Sequence, residues 1–238
     1  MRYLLFLFFL GCISIGANAQ IAPANPVAAD INMRQLAELG TRMSAVPIGF
    51  DNRYEGVKGS PYLYEKWRPG EIQVDGAPTI SENIFLNIDG TKNLATVQLP
   101  NGVLGLQNEK IKGLVINIEN GSVRYETHLR SKIEGKGDGK VLLEVLYDGV
   151  NYGYYKEPRI VFNKANYQGA YSPDVRYDEY VASPVYFIRV KDKYEKVKLK
   201  KNAIQKIIPE IRRTEGWKGT ELTEQKLIVL LAELSHKN

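Results

Sequence analysis

Short apolar runs separated by Asx-Gly pairs fill the middle of the chain. Runs at 71–74, 84–88, 94–99, 114–118 and 141–147 end at Asp75-Gly76, at Asp89-Gly90, near Asn101-Gly102, at Asn120-Gly121 and at Asp148-Gly149. Asn-Gly and Asp-Gly accept the positive φ angles of tight hairpins, so the repetition predicts an antiparallel meander. Alternation within a run supports strands: Ile84, Leu86 and Ile88 fall on one side, Phe85, Asn87 and Asp89 on the other. The fold class expected is mainly β, built as a sandwich, a barrel or a strongly curved sheet.

The last sheet element is expected as a hairpin over 185–199 that turns at Asp192-Lys193. Tyr186, Ile188 and Val190 share one face with Val197 and Leu199 on the return, while Arg189, Lys191, Lys196, Lys198 and Lys200 fall on the other. Two C-terminal helices follow. The first, over 202–211, aligns Ile204, Ile207, Ile208 and Ile211, with Pro209 disturbing its second half. The second, over 223–234, aligns Leu227, Leu230, Leu231 and Leu234 behind Thr223 as N-cap. Both are expected to pack on the sheet or to cover its open end. Upstream, residues 20–49 read as a flexible lead-in with a short helix beginning at Asp30 and carrying Leu36, Leu39 and Met43. Residues 54–70 read as a repeatedly turning loop, because Gly56, Gly59, Pro61, Pro69 and Gly70 break any regular element. One continuous β domain over 50–200, closed by residues 201–238, is therefore predicted.

The N-terminus changes the picture. A charged start, Met1-Arg2, an apolar stretch over 3–15 and the small-x-small exit Ala17-Asn18-Ala19 form the three parts of a secretory signal peptide over 1–19. The stretch falls short of the roughly 20 apolar residues that span a bilayer. The chain is expected to be exported, to the periplasm or beyond the cell. Gly11-Cys12 offers a lipoprotein-type cleavage as the alternative, which would anchor the protein at Cys12. Cys12 is the single cysteine, so the mature chain has no disulfide and depends on a hydrophobic core. No later segment is apolar enough to cross a membrane as a helix. The net charge of +5 is mild, and with export expected it does not point to nucleic acid as a partner.

The search for chemistry yields few candidates. Gly135-Lys-Gly-Asp-Gly-Lys140 has the wrong spacing for a phosphate-binding loop and is expected to be a flexible connection between a strand over 123–133 and one beginning at Val141. Two histidines, His128 and His236, offer no triad and no zinc set, so neither a catalytic residue, a metal nor a cofactor is predicted. Asp174, Asp178 and Glu179 supply carboxylates for a glycosidase-type pair, but Arg176 among them makes local ion pairing the plainer account. Tyrosine is the unusual feature: ten of fifteen lie between Tyr147 and Tyr194. Tyr suits sugar faces and protein partners, and it is also at home half-buried in strands. Lysines on the last hairpin would guard an edge against unwanted pairing, unless they line a groove.

The segment Tyr54-Glu-Gly-Val-Lys-Gly-Ser-Pro-Tyr-Leu63, followed by Trp67 and Gly70, resembles a group of exported bacterial proteins of unknown function. That resemblance implies export and one continuous domain; it implies no activity. The leading expectation is a non-enzymatic binding or structural protein of the cell envelope. Its partner, a protein or glycan, would meet Lys58, Ser60, Tyr62, Trp67, Tyr152, Tyr154 and Tyr177. The alternatives are a carrier that holds an apolar ligand between a curved sheet and the terminal helices, and a carboxylate-based hydrolase.

Overall fold

The computed structural model of the protein describes residues 47–48, 57–81, 83–164, 177–218 and 221–236. The expected signal peptide, Cys12, the helix from Asp30, and Tyr54, Tyr167, Tyr171, Asp174 and Arg176 lie outside the described residues. The strands are β1 (Pro47–Ile48), β2 (Arg68–Val74), β3 (Phe85–Asp89), β4 (Leu94–Leu99), β5 (Gly102–Leu106), β6 (Ile111–Ile118), β7 (Gly121–Leu129), β8 (Lys140–Asp148), β9 (Tyr152–Glu157), β10 (Ile160–Asn163), β11 (Glu179–Ala182), β12 (Val185–Val190) and β13 (Lys193–Val197). Eleven of them form one antiparallel sheet in the order β1-β5-β4-β3-β2-β6-β7-β8-β9-β12-β13, and β10 and β11 form a separate ribbon. The chain is mainly β, as expected. Each Asx-Gly pair that the pattern marked ends or follows a strand.

This sheet cannot be flat. β5 and β6 lie four strand spacings apart in the pairing order, about 19 Å in a flat sheet, yet only Gln107 and a 3-10 turn, Asn108–Lys110, join them. The strands must curl until β5 and β6 approach. A second tie has the same consequence. Asn93, in the turn between β3 and β4, accepts the Leu142 N–H on Oδ1 (2.8 Å) and donates from Nδ2 to the Leu142 carbonyl (3.0 Å). Those strands would lie about 20 Å or more apart in a flat sheet. The buried Asn108 adds a bond from Nδ2 to the Asn93 carbonyl at 2.8 Å. Side chains thus sew a seam that backbone pairing leaves open, so the sheet is curved without being a closed barrel.

The corner sits at β2. Arg68 and Pro69 pair with β3, and the rest of the strand pairs with β6. Gly70 stands at the change of partner, where a Cβ would lie 2.3 Å from the Val115 carbonyl oxygen and 2.8 Å from a Leu86 methyl. No other residue fits such an approach. Strand therefore begins at Arg68, inside the stretch expected to be loop.

Buried side chains fall into three groups. Ile72, Leu86, Ile88, Val97, Leu114, Ile116 and Tyr125 fill the inside of the curl. On one face of the β9-β12-β13 end, Tyr152, Tyr154, Ile188 and Val197 meet the terminal helices, α2 (Lys201–Ile207) and α3 (Glu224–His236). Pro209 does end α2 and opens a 3-10 turn, Pro209–Arg213. Thr223 caps α3 as predicted, its Oγ1 accepting the Lys226 N–H at 3.2 Å. On the opposite face, Val141, Leu143, Tyr155 and Phe187 are covered by Ile133 of a short helix, α1 (Arg130–Glu134). The pattern predicted strand through Ile133; instead β7 stops at Leu129, and Ile133 turns inward as a lid on that second face. The last hairpin turns at Lys191-Asp192, one residue before the predicted position.

Candidate functional site

Five of the seven predicted contact residues meet on one side of the molecule. Residues 57–62 run beside the start of β11: the Lys58 N–H donates to the Asp178 carbonyl and its carbonyl accepts the Tyr180 N–H, both at 2.9 Å. This pairing sets the Lys58 ammonium over the Tyr177 ring, 4.5 Å from its centroid. Such a contact stabilises an exposed site by about 0.5–1 kcal/mol. Tyr177 remains 52% exposed. Ser60 turns the chain, its Oγ accepting the Tyr62 N–H at 3.1 Å. The Tyr62 ring then lies 5.6 Å from that of Trp67, tilted by 55°.

Buried polar groups hold this loop in place. Asn87 of β3 donates from Nδ2 to the Tyr64 carbonyl (2.7 Å) and accepts the Tyr64 N–H (3.1 Å). Gly90 donates to the Pro61 carbonyl (2.8 Å) and accepts the Ile160 N–H (2.9 Å), which joins the loop to β10. The β10-β11 ribbon in turn exposes Val161, Phe162 and Val181. The register puts Val161 and Val181 on the face of the ribbon that Lys58 and Tyr177 share, and Phe162 with Tyr180 on the other, so Lys58 and Tyr177 stand beside an apolar valine pair on a fixed framework.

Tyr152 and Tyr154 belong elsewhere, and their role needs correcting. Both point from β9 into the face beneath α2 and α3, where Tyr154 is fully buried and Tyr152 nearly so. The Tyr152 hydroxyl donates to Glu210 Oε1 at 2.5 Å. Burial first, and then that carboxylate, push its phenol up to about 12. Tyr154 stacks on Tyr186, with centroids 5.8 Å apart and planes 22° from parallel. These rings hold the core together and cannot reach a partner. Ile204, Ile208, Leu227 and Leu231 pack with them between sheet and helices.

The other face of β9 carries a cluster that sequence reasoning did not connect. His128, Tyr155 and Tyr194 form a trio with centroids 5.4–5.6 Å apart. Beside it, Arg189 donates to Asp148 Oδ1 (2.8 Å), to the Gly149 carbonyl (2.7 Å) and to the Lys191 carbonyl (2.8 Å). Tyr155 adds a bond to the same Asp148 oxygen at 3.0 Å. Burial raises the Asp148 carboxyl, but these bonds and the Arg189 and Arg124 charges outweigh it and hold the group below the usual range. Glu126, 3.5 Å from His128 Nε2, is lowered mainly by that histidine. Gly153 leaves the room, since a Cβ there would lie 2.6 Å from the Tyr155 ring and 2.9 Å from Arg189 Nε. Alternation along Tyr152-Gly-Tyr-Tyr155 separates the two faces, but no sequence signal says which partner each tyrosine will find.

Next to this cluster, α1 and β13 border an open groove of about 680 Å³, lined by four lysines (Lys132, Lys136, Lys193 and Lys196), by the acids Glu134, Asp192 and Glu195, and by Tyr194 among others. Among the described residues no group of three metal-ligating side chains is placed to hold an ion, and no helix is long and apolar enough to cross a membrane. No protein-family model, curated protein or solved structure matches the chain.

Proposed function

We propose that this chain is an exported, non-enzymatic binding protein of the cell envelope that contacts a partner through the Lys58-Tyr62-Trp67-Tyr177 surface. One observation carries the reading. Lys58 and Tyr177, chosen separately from distant parts of the sequence, stand 4.5 Å apart on an exposed surface. Rigid aromatic side chains with a polar tip make productive contacts at low entropic cost. The exposed Val161 and Val181 share their face of the ribbon and favour a protein partner over a glycan, because a sugar needs hydroxyl partners around its stacking ring. The non-enzymatic part rests on the other polar cluster, where Asp148, Arg189 and Tyr155 satisfy one another. The resemblance of the Tyr54–Leu63 loop to exported bacterial proteins supports the compartment.

In-cell crosslinking tests the surface. A photoreactive residue at Tyr177 should give a discrete adduct with another protein, and one at the still more exposed Val150 should give none. Tyr62→Ala with Trp67→Ala should abolish the Tyr177 adduct while the circular dichroism spectrum is kept. Co-sedimentation with protein-free cell-wall glycan and no adduct would move the partner to carbohydrate. Neither adduct nor sedimentation would reject the site.

A further inference from the structure

Among the described residues β13 ends the sheet order, and its outer edge borders a groove. The hairpin register says which groups face outward. Lys191 has φ +55° in a two-residue turn, and Val190 pairs with Lys193. In a two-residue hairpin the residues flanking the turn form a hydrogen-bonded pair, and such pairs alternate along the ladder. Val190–Lys193, Ile188–Glu195 and Tyr186–Val197 are therefore bonded to each other. Tyr194 and Lys196 turn their N–H and C=O groups away from β12, into the groove.

The side chains add a sign. Alternation places Tyr194 and Lys196 on the α1 side, where Lys132 lies 5.9 Å from the Tyr194 ring and Lys136 follows at the end of the helix. Three acids also line the groove: Glu134 is paired with Arg130 at 3.2 Å, Asp192 sits in the hairpin turn beyond the end of the strand, and Glu195 belongs to β13 itself. Glu195 alternates to the opposite face. Edge lysines are commonly a guard against pairing, but these line an open groove along which the outward backbone groups of Tyr194 and Lys196 lie. That is the arrangement by which sheets accept an extended peptide as an added strand.

We infer that β13 accepts an extended acidic segment of another protein as a twelfth strand, its backbone paired with Tyr194 and Lys196 and its carboxylates facing Lys132, Lys136 and Lys196. A second copy of β13 is a poor occupant, since it would bring its own Lys196 against these lysines. The lead-in at 20–46 is also poor, because Pro23 and Pro26 interrupt it and it carries few acids.

The probe is an end-blocked eight-residue peptide of alternating glutamate and valine, added to the purified full-length mature protein. Binding is read by fluorescence anisotropy and by amide NMR with hydrogen exchange. The expected result is saturable binding, with shifts and new exchange protection at the Tyr194 and Lys196 amides. N-methylation of alternate peptide amides keeps the charge and removes the ladder, and should weaken binding about tenfold, the scale of two lost hydrogen bonds. Lys136→Glu with Lys196→Glu should weaken it at least as much, and the lysine-valine peptide should not bind. Equal binding of the N-methylated peptide, or no binding at millimolar concentration, overturns the inference. It also falls if the Tyr194 and Lys196 amides are already protected in the peptide-free monomer, or if sedimentation shows self-association through this edge. None of these readouts involves the Tyr177 surface, so the two proposals fail separately.

Discussion

Two acids on opposite faces of the β8-β9 pair have opposite electrostatic fates. Asp148 is held below its ordinary value by Tyr155 and Arg189 despite burial. A carboxyl lowered on folding contributes stability above its unfolded pKa, and that contribution disappears as pH falls through the folded pKa. Glu144 is raised, mainly by burial, although Lys156 stands 3.0 Å away. A raised carboxyl opposes folding once pH exceeds its folded pKa, and its penalty is absent below the unfolded value. Asp148→Asn should therefore cost about 1 kcal/mol at pH 7, a figure reduced for a carboxylate that is partly exposed, and the loss should vanish near pH 2. Glu144→Gln should cost less than about 0.5 kcal/mol at pH 7 or stabilise, because Lys156 keeps Glu224 at 3.5 Å. Urea titrations across this pH range check both signs; a larger loss for Glu144→Gln than for Asp148→Asn would contradict the assignment.

At the level of elements, strands and turns were the legible part. Period-two alternation and Asx-Gly pairs are local signals, and they located most of the meander. Thr223 and Pro209 marked helix boundaries for reasons that also act locally, a side-chain cap and a missing N–H. α1 escaped because Arg130-Ser-Lys-Ile-Glu134 is too short to show a period, and its single inward residue, Ile133, reads equally well as strand. The seam escaped too. Nothing in Asn93 or Asn108 announces that their amides will bond across the curl. Asn93→Ala should leave the Leu142 N–H and C=O without their partners and cost about 2–3 kcal/mol, with Asn93→Asp intermediate. Thr223→Ala should cost about 1 kcal/mol. Chemical denaturation with an unchanged m-value would show that the losses arise in the folded state. A neutral Asn93→Ala would mean that the seam does not hold the curl.

For the molecule as a whole, the crowded tyrosines have two placements that sequence could not separate. Lys58, Ser60, Tyr62, Trp67 and Tyr177 reach one surface, while Tyr152 and Tyr154 are core. The difference lies in whether a terminal helix covers the face, which depends on packing between segments dozens of residues apart. This distribution has a measurable result at high pH. Burial raises the phenols of Tyr125, Tyr154 and Tyr155, and carries Tyr152 and Tyr186 to about 12. A phenol raised on folding stays protonated in the native state longer than in the unfolded chain, so stability is present below pH 10 and falls as pH rises through the folded values. Absorbance of phenolate should rise in two stages, the exposed rings first and the buried set later, together with cooperative unfolding. A single early transition would place these rings in water.

The tie between Asn93 and Leu142 also orders events in time. A ribosome or an export channel delivers residue 93 well before residue 142, and the bond spans 49 positions. Hairpins can zip as they emerge, but this clasp must wait for its distant half. Its loss should then quicken unfolding several-fold and leave refolding almost unchanged, as for any contact made after the rate-limiting barrier. The curl would have a latch that shuts last and governs how long the closed form survives.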